Sequence, residues 1–133
     1  MILEAALSAV IYTSQPCTNP VVNVLHGAGF RGRALKYAYG IVMRESKGHA
    51  KAISPTNDYG LFQWNRATWS RAKWWDPVKL LDATYNAAVA YDISQGGRTW
   101  YPWDIGGRGQ HLGRYSSSST YRVWVRYVNQ YPC

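Results

Sequence analysis

Apolar positions recur at helical spacing over residues 33–46. Leu35, Ala38, Tyr39, Val42 and Met43 follow i, i+3, i+4 steps, which predicts a buried helix ending near Gly48. Ala34, Ala38 and Ile41 form an adjacent stripe, and Glu45 falls on it. At about 100° per residue, Glu45 lies nearly beneath Ala38. Asn65 can cap a short helix through Lys73. Asp76-Pro77 reads as a cap followed by proline at the first helical position, starting a helix that runs to about Gln95 and stops at Gly96-Gly97. Between Val78 and Ile93 only Lys79, Asp82 and Asp92 are charged, so that helix is largely enclosed. Tyr121, Trp124, Val125 and Val128 fit a last helix, while Tyr121, Val123, Val125 and Tyr127 alternate as a strand would.

The intervening stretches are punctuated. Met1–Tyr12 is apolar around Glu4 and reads as a short helix packing on the body; an export signal is the second reading, although a basic start and a small-residue cleavage site are both missing. Pro16, Pro20, Gly27, Gly29 and Gly32 predict a loop over residues 13–32. Residues 49–65 read as turns, residues 98–114 as a glycine- and tryptophan-rich loop, and residues 116–119 as a polar linker. The expected division is an N-terminal arm over residues 1–24 and one mainly α domain over residues 25–133.

Composition narrows the class. With 47% apolar and 17% charged residues, the chain is neither disordered nor fibrous. It has no apolar run long enough to span a membrane as a helix and no internal period of a repeat protein. Seven Trp and eleven Tyr against two Phe is an excess of rings with a polar edge, suited to sugar faces, interfaces or ordinary cores. The net charge of +8 implies attraction to something anionic: nucleic acid, an acidic membrane surface or a bacterial wall. Cys17 and Cys133 fit either a disulfide in an oxidising compartment or two free thiols. His26, His49 and His111 show no ligand spacing, so no metal is expected.

Glu45 is the residue that points to chemistry. The sequence has only two glutamates, and the other, Glu4, sits in the arm. A carboxyl at the end of a buried stripe is held toward its protonated form, the form that protonates a glycosidic leaving oxygen. A structural ion pair with Arg44 or Arg66 is the competing reading.

Glu45-Ser46, followed after a loop by Tyr59-Gly60-Leu61-Phe62-Gln63-Trp64-Asn65, resembles the signature of the lysozyme-like superfamily, most closely its phage-tail and actinobacterial branch of slt-type lytic transglycosylases and lysozymes. Ala28-Gly29-Phe30-Arg31-Gly32, Asp76-Pro77, Asn86-Ala87-Ala88, Tyr91, Gly97, Trp100, Pro102 and Trp103 keep the family's order. The resemblance spans about residues 25–104. It implies a small α+β lysozyme-like fold, mainly α, with a catalytic cleft. Glu45 would be the general acid. Tyr59, Gln63 and Asn65 would line the cleft, Asn86 and Tyr91 would face it from the second helix, and Trp103 would stack on a sugar. Asp58 is either a second carboxylate or a turn residue of Thr56-Asn57-Asp58. Asp104 is a further carboxylate outside the family pattern. Two departures stand out: residues 105–115 replace the usual short ending, and Trp64 stands where an aliphatic residue is usual.

These readings lead to a peptidoglycan-degrading glycosidase, cleaving the β-1,4 bond between N-acetylmuramic acid and N-acetylglucosamine without a cofactor. A small domain with no evident signal fits a phage protein, in the virion or acting on the host wall, with other virion proteins as partners. A catalytically dead wall-binding module is the first alternative. A nucleic-acid binder is the second, opposed by scattered basic residues and the lack of any binding motif.

Overall fold

The computed structural model describes residues 17–105 and 119–133. The described residues form helices α1 (Pro20–Ala28), α2 (Gly32–Ser46), α3 (Arg66–Trp69), α4 (Ala83–Ile93) and α5 (Ser119–Asn129). Two 3-10 turns, Lys79–Leu81 and Tyr101–Trp103, and a short hairpin of β1 (Asp58–Tyr59) and β2 (Trp64–Asn65) complete them. This is a small, mainly α domain. The Met1–Tyr12 arm and most of the 105–115 segment lie outside the described residues.

Helix α1 corrects the loop expected over residues 13–32. The Asn19 side chain accepts from Val22 N at 3.1 Å, and Pro20 occupies the first turn, where a missing N–H costs nothing. Gly29 ends the helix at φ 119°, a conformation suited to glycine. Pro20 and Gly29 are thus the two ends of one helix, Gly27 lies within its last turn, Gly32 opens α2, and Val22 and Leu25 anchor α1 in the core. The boundary expected between residues 24 and 25 falls inside α1, so the first turn of this helix is part of the body.

Helix α2 follows the periodicity that predicts it: Leu35, Ala38, Tyr39, Ile41 and Val42 are buried, and Lys47 closes it in the left-handed region at φ 53°. The long helix expected from Asp76 is instead two pieces. Asp76 Oδ1 accepts from Val78 N and Lys79 N, both at 3.0 Å, and starts only a 3-10 turn. Asp82 then turns extended and caps α4 through Tyr85 N at 3.0 Å. Each aspartate takes the first free N–H groups, and the second cap interrupts what the first begins. Helix α3 stops at Trp69 rather than Lys73, because Trp69 and Trp74 both close on the Trp64 ring, at centroid distances of 5.5 and 5.1 Å.

At the C-terminus the helical reading holds. Trp124 is buried and its Nε1 donates to Tyr37 O at 3.1 Å. Gly40 permits this approach of α5 to α2: a Cβ there would lie 2.5 Å from Val128 and 2.9 Å from Trp124. Cys17 and Cys133 are joined by a disulfide, with Cα atoms 5.8 Å apart, fastening the segment after α5 to the one before α1. The core runs from Leu25, Phe30 and Ile41 through Leu61, Phe62 and Trp64 to Ala87, Trp100 and Trp103. Among the described residues no helix is long and apolar enough to cross a membrane.

Candidate active site

The last turn of α2 and the hairpin face each other across an open cleft of about 460 Å³. Glu45 lies on one side, with Pro102, Trp103 and Asp104 of the closing turn; Asp58, Gln63 and Asn65 lie on the hairpin side, continued by Thr68 and Trp69. Tyr101 stands at the mouth, 63% exposed.

The hairpin is held in shape from beneath. Gly60 sits at φ 74°, and a Cβ there would meet Leu80 O at 2.2 Å and Asn86 Nδ2 at 2.3 Å, so only glycine fits. The fully buried Asn86 accepts from Phe62 N at 3.0 Å and Trp64 Nε1 at 3.2 Å. It donates to Tyr59 O at 3.0 Å and Leu80 O at 2.8 Å. Two donors and two acceptor sites of one amide are thereby used, so Asn86 clamps the hairpin from the core and does not reach the cleft. Gln63, at φ 54°, donates from Nε2 to Ala52 O at 3.2 Å and Gly60 O at 3.0 Å. That anchoring uses the amide nitrogen of a side chain that lines the cleft.

The other expected residues divide in the same way. Trp103 borders the cleft but is 4% exposed, with Nε1 donating to Phe62 O at 3.2 Å; its ring is wall rather than free platform. The buried Trp64 also borders the cleft, packing on Trp103 at a centroid distance of 5.3 Å as part of an indole cluster with Trp69 and Trp74. This explains why an aromatic residue is accommodated there. Tyr59 is buried, with its hydroxyl accepting from Arg66 Nη2 at 2.9 Å, and it supports the hairpin from outside the cleft. Tyr91 is also placed away from it: its ring covers Gly29 and Gly96 and meets Phe30 edge-on at 5.2 Å. Helix α4 therefore turns Asn86 and Tyr91 to packing roles, in contrast to the cleft-facing positions expected of them. Sequence reasoning passed over Thr68, Trp69 and Tyr101. Only the spacing of Tyr101 and Asp104 on either side of Pro102-Trp103 signals that they share this wall.

The two facing carboxyls are tuned in opposite directions. Burial raises the Glu45 pKa above its ordinary value; the neighbouring Arg44 charge and hydrogen bond pull it back, while Asp58 and Asp104 push it up. A carboxylate at a helix C-terminus is disfavoured as well. For Asp58, partial burial pushes upward, but hydrogen bonds from Ser54, Thr56 and Asn65 together outweigh it and hold the carboxyl below its ordinary value. Ser54 and Thr56 hydroxyls both donate to Oδ2 at 2.5 Å, and Asn65 Nδ2 donates to Oδ1 at 2.8 Å. Asn65 also caps α3 through Thr68 N at 3.0 Å, so one side chain fixes both the helix start and the aspartate. Among the described residues no group of three His, Cys, Asp or Glu side chains could hold a metal ion.

The cleft thus brings together a carboxyl whose pKa is raised and one whose pKa is lowered, a pairing of the kind glycosidases use. A family model described as a lysozyme-like domain matches residues 22–105, well over half of the chain, and the chain belongs to that family. No curated protein and no solved structure matches it. Membership supports, in general terms, a glycosidase or transglycosylase acting on peptidoglycan.

Proposed function

We propose that the protein is a lytic transglycosylase that cleaves the β-1,4 bond between N-acetylmuramic acid and N-acetylglucosamine. The observation that carries this reading is the shared cleft of Glu45 and an Asp58 whose carboxylate oxygens are already occupied by Ser54, Thr56 and Asn65. Glu45 gives its proton to the glycosidic oxygen as the C1–O bond breaks. The 6-hydroxyl of the muramic acid then attacks C1, and Glu45 takes that hydroxyl's proton, so the acid is regenerated and a 1,6-anhydro end forms. Asp58 remains ionised and supports the positive charge developing at C1. Its oxygens already accept three hydrogen bonds, which makes it a poor nucleophile and favours attack by the sugar's own hydroxyl.

The +8 charge supports retention on an anionic bacterial wall outside the cytoplasm. The resemblance of Glu45-Ser46 and the hairpin sequence to the phage-tail branch supports a phage origin and a place in a virion. The test is to digest purified sacculi and weigh the released muropeptides. Anhydro ends are expected. Reducing ends would make the enzyme a hydrolytic lysozyme, and wall binding without release would make it a binding module.

A further inference from the structure

Building on the acid role proposed for Glu45, we infer that Arg44 is a positioning residue for it. Its guanidinium ties Glu45 to the closing turn of the cleft and to a helix beyond the family match. The Arg44 side chain is 7% exposed. Nη2 donates to Trp103 O at 2.9 Å and to Glu45 Oε1 at 3.4 Å, and Nη1 donates to Thr120 O at 3.4 Å. Nε is buried with no hydrogen-bond partner.

Burying a cation is costly unless it is paired and hydrogen-bonded; these acceptors supply part of that compensation, with Nε left unpartnered. A guanidinium is planar and its donors leave in fixed directions. The carbonyls of Trp103 and Thr120 therefore set the plane, and the plane sets where Glu45 Oε1 meets Nη2. Trp103 belongs to the cleft wall. Thr120 lies in the first turn of α5, outside the matched residues 22–105. Helix α5 is itself fixed on α2 through Trp124 and Tyr37. The orientation of the acid thus depends on an element that family membership does not cover.

The charged groups acting on Glu45 are Arg44 on α2, Asp58 on β1 and Asp104 after the closing turn. Arg44 alone among them pulls the carboxyl toward ionisation, so losing it leaves only influences in the other direction.

The test compares Arg44→Gln and Arg44→Lys in the full chain with its disulfide intact. It reads kcat and KM on isolated glycan strands, and the Glu45 carboxyl titration by carbon NMR. Arg44→Gln is expected to lower kcat roughly 10²-fold through misplacement of the acid, with KM little changed and Glu45 titrating at higher pH. Arg44→Lys restores the charge without the fork, so the titration returns toward wild type while kcat stays reduced. Unchanged kcat and titration in a folded Arg44→Gln protein, with or without a lower Tm, would overturn the inference. Should Arg44→Gln not fold, Arg44→Lys decides: wild-type kcat overturns it, and reduced kcat with near-wild-type titration upholds it. If wild type releases no muropeptides, the enzymatic reading fails by that observation. The Glu45 titration then still decides whether Arg44 governs the carboxyl.

Discussion

Glu45 and Asp58 border the same cleft, yet the fold treats them differently. Glu45 ends a buried helix and has one charged partner, at 3.4 Å. Asp58 opens the half-buried strand β1 and accepts from three neutral donors at 2.5–2.8 Å. Burial disfavours the charged form of the first, and short hydrogen bonds favour the charged form of the second. In the proposed mechanism, acid and stabiliser therefore differ by environment, not by residue type or by position along the cleft. Each variant below tests one side of that contrast.

The largest effect is expected from Glu45→Gln. The amide keeps the shape and cannot donate the proton, so wall cleavage should fall by about 10²–10⁴-fold or more, with the fold retained by circular dichroism. A folded variant within a few-fold of wild type would remove Glu45 from the acid role and dissolve the contrast.

Asn86→Leu acts on the hairpin that carries Asp58. The leucine leaves Phe62 N, Trp64 Nε1 and two carbonyls without their partner. At about 1–3 kcal/mol for each unsatisfied buried group, a loss of at least ~3 kcal/mol in unfolding free energy is expected by denaturant titration. A substrate-binding asparagine would instead show a raised KM with stability unchanged.

That distinction marks where the sequence stops being readable. Helix α2 is legible because its signal is local, the apolar stripe ending at Glu45; residues 49–65 read only as turns, and the pairing of β1 with β2 emerges from the structure. Asn86 and Tyr91 also match the family in order, but order does not reveal which face of α4 meets which neighbour. Their roles depend on contacts with Tyr59, Leu80, Gly29 and Gly96 from distant segments. The same limit explains α1. Asn19-Pro20 and Asp76-Pro77 are the same local signal, and only packing decides that the first starts a nine-residue helix and the second a single turn. For Arg44 the sequence offers the ion pair with Glu45 but not the carbonyls that orient it, which lie 59 and 76 positions away.

Asp58→Asn should have a smaller effect than Glu45→Gln. As a charge stabiliser that does not bond to C1, Asp58 can be replaced with a loss of roughly tenfold in kcat, and anhydro ends should persist. Removing its charge also removes one of the influences that raise the Glu45 pKa. The alkaline limb of the rate profile, where the acid loses its proton, should therefore move to lower pH. Complete inactivity together with reducing ends from wild type would make Asp58 a nucleophile or base and overturn the transglycosylase reading.

The smallest effect is on stability, and its sign separates the two carboxyls. The folded-state pKa of Glu45 is raised above its ordinary value, so its contribution is fully present at low pH and is lost as pH rises through the folded pKa. At neutral pH the ionised carboxylate is worse accommodated in the folded protein than in the unfolded chain. Glu45→Gln should therefore have a higher Tm than wild type at neutral pH, and the difference should shrink below about pH 4.5, where Glu45 is increasingly protonated in both states. Asp58 has the opposite linkage. Its folded-state pKa is lowered from 3.8, so its contribution is present above that value and disappears as pH falls through the folded pKa. Asp58→Asn should accordingly lower Tm at neutral pH, because the carboxylate that accepts from Ser54, Thr56 and Asn65 is replaced by a neutral amide. This loss should diminish in strong acid. Melting both variants across pH 2–8 tests the pair together; a Glu45→Gln protein less stable than wild type at pH 7 would mean that the Arg44 pair outweighs burial, and Glu45 would then be an ion-pair residue rather than a poised acid.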